Sequence, residues 1–446
     1  MVLVLTNPRG SDGELAELLT TTQASQPALL QAINAAPSSA GLQASWAIDP
    51  TNGVDSNQGT PAAPLRTMGE LSGRLSLNLI QQPTTVQLVG NVVDSPLNLQ
   101  GTRFAKGASL TVSGTLTDVT TGTISVVTPL GIANGGAVTQ PPWLLTTTGA
   151  VDWTTVPVGA QIRYSTGHVG MLLAAISATQ AIVGCLAAPG TSISLVTPAA
   201  GNTLTVSTLS SALPPVVNAT QIAFNGGSAI TIGLTGLRMD MANNDLYAQG
   251  GATLQLYGCE LVCATTLGLV HSSGGVLDLR ACRVTLSGAN SFRFRGTQAD
   301  LISTFGLCVV GTGSNFFQHN CSVSHNNTAI SGARLLCSSE SNAQIGSCYF
   351  RNTAGPVLVN SQGRLLCNGV LNGTNASDGN TGIGIDVSSG LVTYFSSSKP
   401  QVSGNGGSPE TRVGGVTKAY AAIPYVNWDA TVPAAFTGNG AAIVQG

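Results

Sequence analysis

The stretch "GATLQLYGC" at residues 251–259 returns as "GGVLDLRAC" at residues 274–282. Gly251, Leu254, Leu256 and Cys259 recur as Gly274, Leu277, Leu279 and Cys282, a spacing of 23. A second echo, "SGARLLC" at 331–337 and "SQGRLLC" at 361–367, has a spacing of 30, and "VSSGLVTYF" at 387–395 repeats the same turn and strand. Variable repeats of this size mark a solenoid, whose coils bury a core only by stacking on one another. Helical solenoids need about 33 or more residues per repeat and many helix formers, which are scarce here. Leucine-rich repeats need a tighter leucine pattern. Short period-two strands with small residues at the turns fit a parallel β-helix. In such a fold Leu254 and Leu256 stack inward on Leu277 and Leu279, while Thr253, Gln255 and Tyr257 face outward. Cys259, Cys282 and Cys308 are expected to form an inward ladder, with coils about 4.8 Å apart.

Composition supports a β-rich chain that buries a core. Only 8% of the 446 residues are charged, against roughly 25% in an average domain. Yet 43% are apolar, too many for a disordered segment. A net charge of −2 and three Lys leave no long basic stripe, so nucleic acid is not an expected partner. The start, "MVLVLTNPRGSDG", has neither a basic n-region nor a long apolar h-region, so no signal peptide is expected. No apolar run reaches about 18 residues, so no membrane insertion is expected. Nine cysteines, an odd number without a C-x-x-C, read as buried free thiols rather than a disulfide framework.

The chain divides by texture. Residues 1–45 form an N-terminal attachment segment, with a helical pattern over 14–37 and Asp12 as N-cap. Residues 46–140 lead into the first coils. Residues 141–212, with longer strand pairs and two of the four Trp, read as an inserted small β-barrel or sandwich. Residues 213–405 form the main β-helix, and 406–446 a C-terminal tail or cap.

The segment "WAIDPTNGVDSNQGTPAAPLRTMGEL" at 46–71 is dense in turn formers. As a calcium loop it fails, because Gly53 is fifth from Asp49 where an EF-hand needs it sixth, with a Glu at the twelfth. Asx turns explain Asp49, Asn52, Asp55 and Asn57 better. The order D-P-x-N-G-x-D-x-N-x-G, followed by Pro61, Pro64 and a helix starting near Leu65, resembles the segment that opens parallel β-helix proteins of phage tailspikes and their pectate-lyase-like relatives. The resemblance implies a right-handed parallel β-helix, often trimeric, built into a virion or virion-like particle and facing a host surface.

Aligning the 23-residue repeat sets Gln255 beside Asp278, Tyr257 beside Arg280 and Glu260 beside Arg283. The run "FRFRG" adds Arg293 and Arg295. Tyr257, Asp278, Arg280, Arg283, Arg293 and Arg295 are therefore the candidate ligand-binding set, since Arg pairs bidentately with carboxylates of an acidic glycan. The bland alternative is a ladder of cross-strand ion pairs. Glycoside cleavage would need two carboxyls about 5–10 Å apart, for which Asp278 and Glu260 are the candidates. In "HNCSVSH", with His319, Cys321 and His325, a His and Cys at i, i+2 share a strand face; a zinc site needs a third and usually a fourth ligand, which Cys308 or Cys337 would supply only if the coils stack favourably, so no metal or cofactor is expected.

Together these features describe a structural and surface-recognition protein of a phage or phage-like particle, not expected to be an enzyme. The expected partners are two further copies in a homotrimer, other virion proteins at the N-terminal segment, and host-surface polysaccharide. The expected location is the virion, assembled in the host cytoplasm and exposed outside. Two rival readings are a collar, neck or baseplate decoration, favoured by the low aromatic content of 5%, and a polysaccharide depolymerase on the same fold.

Overall fold

Strand Thr253–Tyr257 lies parallel to Val276–Arg280, with Leu254 opposite Leu277 and Leu256 opposite Leu279. The computed structural model describes residues 43–445 with breaks, the longest at 132–139, 185–197, 212–230, 373–384, 395–410 and 414–424; past residue 311 the description is of backbone strands. Among the described residues thirteen strands, from Ser45–Ile48 to Ala442–Gln445, stack in one parallel sheet. Two apolar columns run through it. One is Leu110, Ile232, Leu254, Leu277 and Ile302, and the other Val86, Val112, Leu234, Leu256 and Leu279, all buried. Fully burying one such side chain is worth about 1.5–3 kcal/mol. A chain with so few charges therefore gains its core by repeating one small pattern.

Each complete coil has three strands. Thr253–Tyr257 lies on the first face, Glu260–Cys263 on the second and Gly268–Ser273 on the third. The next coil repeats this with Val276–Arg280, Arg283–Leu286 and Ser291–Arg295. The corner between the first two faces turns through a left-handed residue in four successive coils: Gly236, Gly258, Ala281 and Gly306. Glycine adopts that conformation without penalty, and Ala281 alone occupies it with a side chain among the described residues. The fold is thus the β-helix that the sequence predicts.

The knot at 49–59 closes the N-terminal end. The Asp49 Oδ1 accepts from the backbone N–H of Thr51 and Asn52, both at 2.9 Å. The Asp55 Oδ1 accepts from the N–H of Arg66 and Thr67, both at 2.9 Å, and its Oδ2 from Thr67 Oγ1 at 2.9 Å. These are the predicted turn roles, although Asp55 bonds across the knot rather than locally. A helix, Met68–Leu75, follows. It starts three residues beyond the expected Leu65 because Thr67 caps it, with Oγ1 accepting from Glu70 N–H at 3.2 Å, and because Asp94 accepts from the N–H of Met68 and Gly69. Met68, Leu71, Ser72 and Leu75 are buried, which places a helical stripe over the end of the stack.

The inserted domain is a closed barrel of six antiparallel strands: Leu116–Gly131, Gln140–Gly149, Gln161–Tyr164, Val169–Ala175, Gln180–Val183 and Thr203–Leu209. Trp143, Leu145, Trp153, Ile162, Leu172 and Val206 fill it. Trp153 Nε1 donates to Thr147 Oγ1 at 2.9 Å, which satisfies the buried indole.

Four expectations change. The barrel begins at Leu116 rather than 141, because alternation has the same period in a coil strand and a barrel strand and does not encode pairing direction. Strands continue through Thr411–Val413, Tyr425–Trp428, Phe436–Gly438 and Ala442–Gln445, within the segment expected as a tail or cap. "SGARLLC" lies in the strand Ala329–Ser338 on the other sheet from "GRLLC" in Gly363–Asn368, so their likeness is not a coil repeat. The coil periods are set instead by registers such as Asn342 opposite Arg364. Cys308 stands opposite Arg283, not Cys282, and so leaves the inward ladder. Leu307, buried, takes the position after the corner that Cys259 and Cys282 hold. The helical pattern at 14–37 lies outside the described residues.

Candidate functional site

The strand Val276–Arg280 places Asp278 and Arg280 two residues apart and thus on one side of the sheet. Arg280 Nε donates to Asp278 Oδ2 at 2.8 Å, and its Nη2 lies 2.6 Å from the same oxygen. Asp278 is in register with Gln255 and Ser303, and Arg280 with Tyr257 and Phe305. Although it alternates with the core columns, Asp278 is only 6% exposed. The carboxylate is therefore held by Arg280, two residues along the same strand, and removing either partner would leave the other charge buried.

Glu260 and Arg283 begin the second face, one strand apart and in register. Glu260 Oε1 lies 3.6 Å from Arg283 Nε and accepts from Thr285 Oγ1 at 3.1 Å. At 3.6 Å the charge pair is an ion pair without a hydrogen bond. The barrel covers this position. A Cβ at Gly159 would stand 2.3 Å from Arg283 Cδ, and one at Gly258 would stand 2.1 Å from Gln161 Nε2. Beside them Met171, Leu173, Ala174 and Ile182 of the barrel pack on Cys308 of the coil. Burial pushes the Cys308 thiol up to about 11, with the Arg283 charge working against the rise. Burial likewise pushes the Cys282 thiol up, and its neighbour Cys259 adds to the rise.

The candidate set is consequently divided among three faces. Tyr257, Asp278 and Arg280 lie on the first face and Glu260 and Arg283 on the second, beneath the barrel rim. Arg293 and Arg295 lie on the third, in register with Leu269 and His271. Asp278 and Glu260 sit on different sheets, each with its own arginine, and no described interaction joins them. The histidines separate as well. His319 ends the strand Cys308–His319, while His325 lies on the first face in the column of Thr304; Cys321 falls outside the described residues. Among the described residues no group of three His, Cys, Asp or Glu is placed to hold a metal ion. Sequence reasoning missed Gly159 and Gln161, which make the junction; a glycine in a loop carries no signal of what it will pack against.

No family model matches the chain, and no curated protein matches it. Solved structures with a similar arrangement of strands include a lacto-N-biosidase of family GH136 from Eubacterium ramulus, at 9% identity over 90% of this chain and 68% of that one, with a TM-score of 0.31. They also include the tailspike gp61 of Pseudomonas phage phi297, at 10% identity over 82% and 69% with a TM-score of 0.20. A third is the gp54 tailspike of Acinetobacter baumannii bacteriophage AP22 in complex with a capsular saccharide, at 9% identity over 80% and 69% with a TM-score of 0.21. At identities of 9–10% these likenesses concern the arrangement of strands alone.

Proposed function

We propose that this chain is a structural and surface-recognition component of a phage or phage-like particle, attached through residues 1–45 and presenting its β-helix to host-surface glycan. The observation that carries the reading is the knot at Asp49 to Gly59. Its turn formers, in the order that resembles the opening of tailspike β-helices, bond the backbone and close the first coil. Binding is favoured over cleavage because Asp278 and Glu260 each sit in an ion pair and on separate sheets. The chain acts as a homotrimer in the virion, exposed outside the cell and without a cofactor. The test is gold-labelled antibody against the chain, imaged on intact particles by electron microscopy. Label at a tail tip supports host recognition, label at a collar or neck supports a decoration, and unlabelled particles refute both. Light scattering of the purified chain tests the trimer, and a stable monomer would refute it. Capsule degradation by the purified chain would refute the non-enzymatic reading.

A further inference from the structure

At the corner between the first and second faces two thiols stand one above the other. Tyr257 is in register with Arg280 and Glu260 with Arg283, which sets Cys259 opposite Cys282 in the next coil. The backbone joins the two coils at the same point. Gly258 N–H donates to the Arg280 carbonyl at 2.9 Å, and Arg283 N–H to the Cys259 carbonyl at 2.8 Å. Both cysteines are fully buried, and their side chains are hydrogen-bonded to each other. Each thiol also reaches a carbonyl, Cys259 Sγ that of Leu234 at 3.2 Å and Cys282 Sγ that of Arg280 at 3.3 Å. Leu237 in the coil before and Leu307 in the coil after take the same position, both buried, so leucine closes the sulfur pair at either end. Among the described registers no other cysteine stands opposite a cysteine. Cys263 faces Leu286, Cys308 faces Arg283 and Ala329, Cys337 faces Gln318 and Asn360, and Cys367 faces Ile345 and Tyr394.

We infer that Cys259 and Cys282 form a redox modification site, which hydrogen peroxide closes into a disulfide between consecutive coils. Neighbouring strands hold their Cα atoms about 4.8 Å apart, inside the roughly 4.4–6.8 Å that a disulfide spans. The product carries no charge, so burial, which pushes the Cys282 thiol up and keeps it protonated, does not oppose it. The oxidant has to be small and uncharged to enter a column without exposed surface, and hydrogen peroxide is both. Its reaction runs in two steps. The Cys259 sulfur attacks one peroxide oxygen: the O–O bond breaks, an S–O bond forms, and the first water leaves with the Cys259 thiol proton. Cys282 then attacks the sulfenic sulfur of Cys259. The S–S bond forms as the S–O bond breaks, and the hydroxyl leaves with the Cys282 proton as a second water. The two sulfurs together lose two electrons, and the two peroxide oxygens take them. Because Cys282 is already in contact, the sulfenic acid is consumed before a second peroxide reaches it. Closure draws the two Cβ atoms from the strand spacing of about 4.8 Å to about 3.8 Å, so the bond is strained and thiol reductants open it. The pair is therefore a reversible staple between coils.

The test exposes the folded, full-length chain to hydrogen peroxide, blocks the remaining thiols with iodoacetamide in urea, and maps the digest by mass spectrometry without reduction. A peptide pair joined through Cys259 and Cys282 is expected, with Cys263 and Cys308 carrying the alkyl group. The oxidised chain is expected to unfold at a higher urea concentration than the reduced one. Dithiothreitol is expected to restore both the thiols and the lower midpoint. In Cys282→Ala the sulfenic acid at Cys259 has no partner and is expected to be trapped by dimedone. Should that variant unfold early, Cys282→Ser replaces it, because a hydroxyl keeps the bond to the Arg280 carbonyl and removes the second sulfur. Four results would overturn the staple. They are intact thiols after a peroxide dose that joins the pair in the urea-unfolded chain, sulfinic acid at either cysteine without a cross-link, a cross-link of either one to a different cysteine, and an unchanged urea midpoint after oxidation.

Discussion

Gly159 of the barrel lies flat on the side chain of Arg283 in the β-helix, so closely that a Cβ there would stand 2.3 Å from Cδ. Arg283 is thereby a platform for the barrel rather than an arm for a ligand, and its Nε is buried 3.6 Å from Glu260 Oε1.

Gly159→Val is expected to loosen the barrel from the coil. Gly159 also has φ +84, which a side chain disfavours by about 1–2 kcal/mol before any clash is counted. Cys308 reports the result. Its thiol is buried under the barrel and pushed up to about 11, so it should resist labelling in the parent protein. Faster labelling of Cys308 in the variant, followed by mass spectrometry, is the expected outcome; equal rates would show that the barrel does not depend on this contact.

Asp55→Ala is expected to lower stability by about 1–3 kcal/mol, since it removes the acceptor shared by the N–H of Arg66 and Thr67 and by the Thr67 hydroxyl. Urea unfolding checks this. The loss should exceed any effect on ligand binding.

Acid should weaken the same knot. Burial works to raise the Asp55 pKa, but hydrogen bonds from Thr67 and Arg66, with the Arg66 charge, outweigh it and hold the carboxyl below its ordinary value. Asp49 is also lowered, chiefly by the Asn52 backbone N–H. A carboxyl depressed in the folded state gives stability that is complete above its unfolded pKa of about 3.9 and is lost as pH falls through the folded value. Thermal melts should therefore decline below about pH 4. In Asp55→Ala the decline should be shallower.

Asp278→Ala is expected to cost about 1–3 kcal/mol, because it leaves Arg280 without the carboxylate that both its Nε and its Nη2 approach. Chemical denaturation measures the cost. A neutral result would show that Arg280 finds another acceptor.

Much of the coil was legible because the alternation that buries Leu254 and Leu256 also fixes which residue stands beside which. Gln255 with Asp278, Tyr257 with Arg280 and Glu260 with Arg283 all follow from the 23-residue spacing, and the structure keeps each register. What alternation omits is the face on which a strand lies. Hence "SGARLLC" and "SQGRLLC" share a pattern while lying on different sheets; separately, the longer step to the next coil, 25 residues from Leu277 to Ile302 instead of 23, sets Cys308 opposite Arg283. The split of the candidate site has the same origin. Glu260 follows the corner at Gly258 and Asp278 precedes the corner at Ala281, so nearness in sequence conceals a change of sheet.

The barrel leaves and rejoins the coil at almost one point. Thr115 N–H donates to Ser211 Oγ at 2.9 Å, and the two hydroxyls lie 2.8 Å apart. The Ser211 carbonyl then accepts from Arg238 N–H at 3.0 Å, the same bond that Leu237, Cys259 and Cys282 accept from Glu260, Arg283 and Cys308 in the following coils. A chain spliced from Thr115 to Ser211 would close its circuit without reopening the stack. The barrel is in that sense a cartridge on a hinge pin. Other small domains whose ends meet could be seated at the same corner, provided they also pack on Arg283 and Cys308, the footprint of the present occupant.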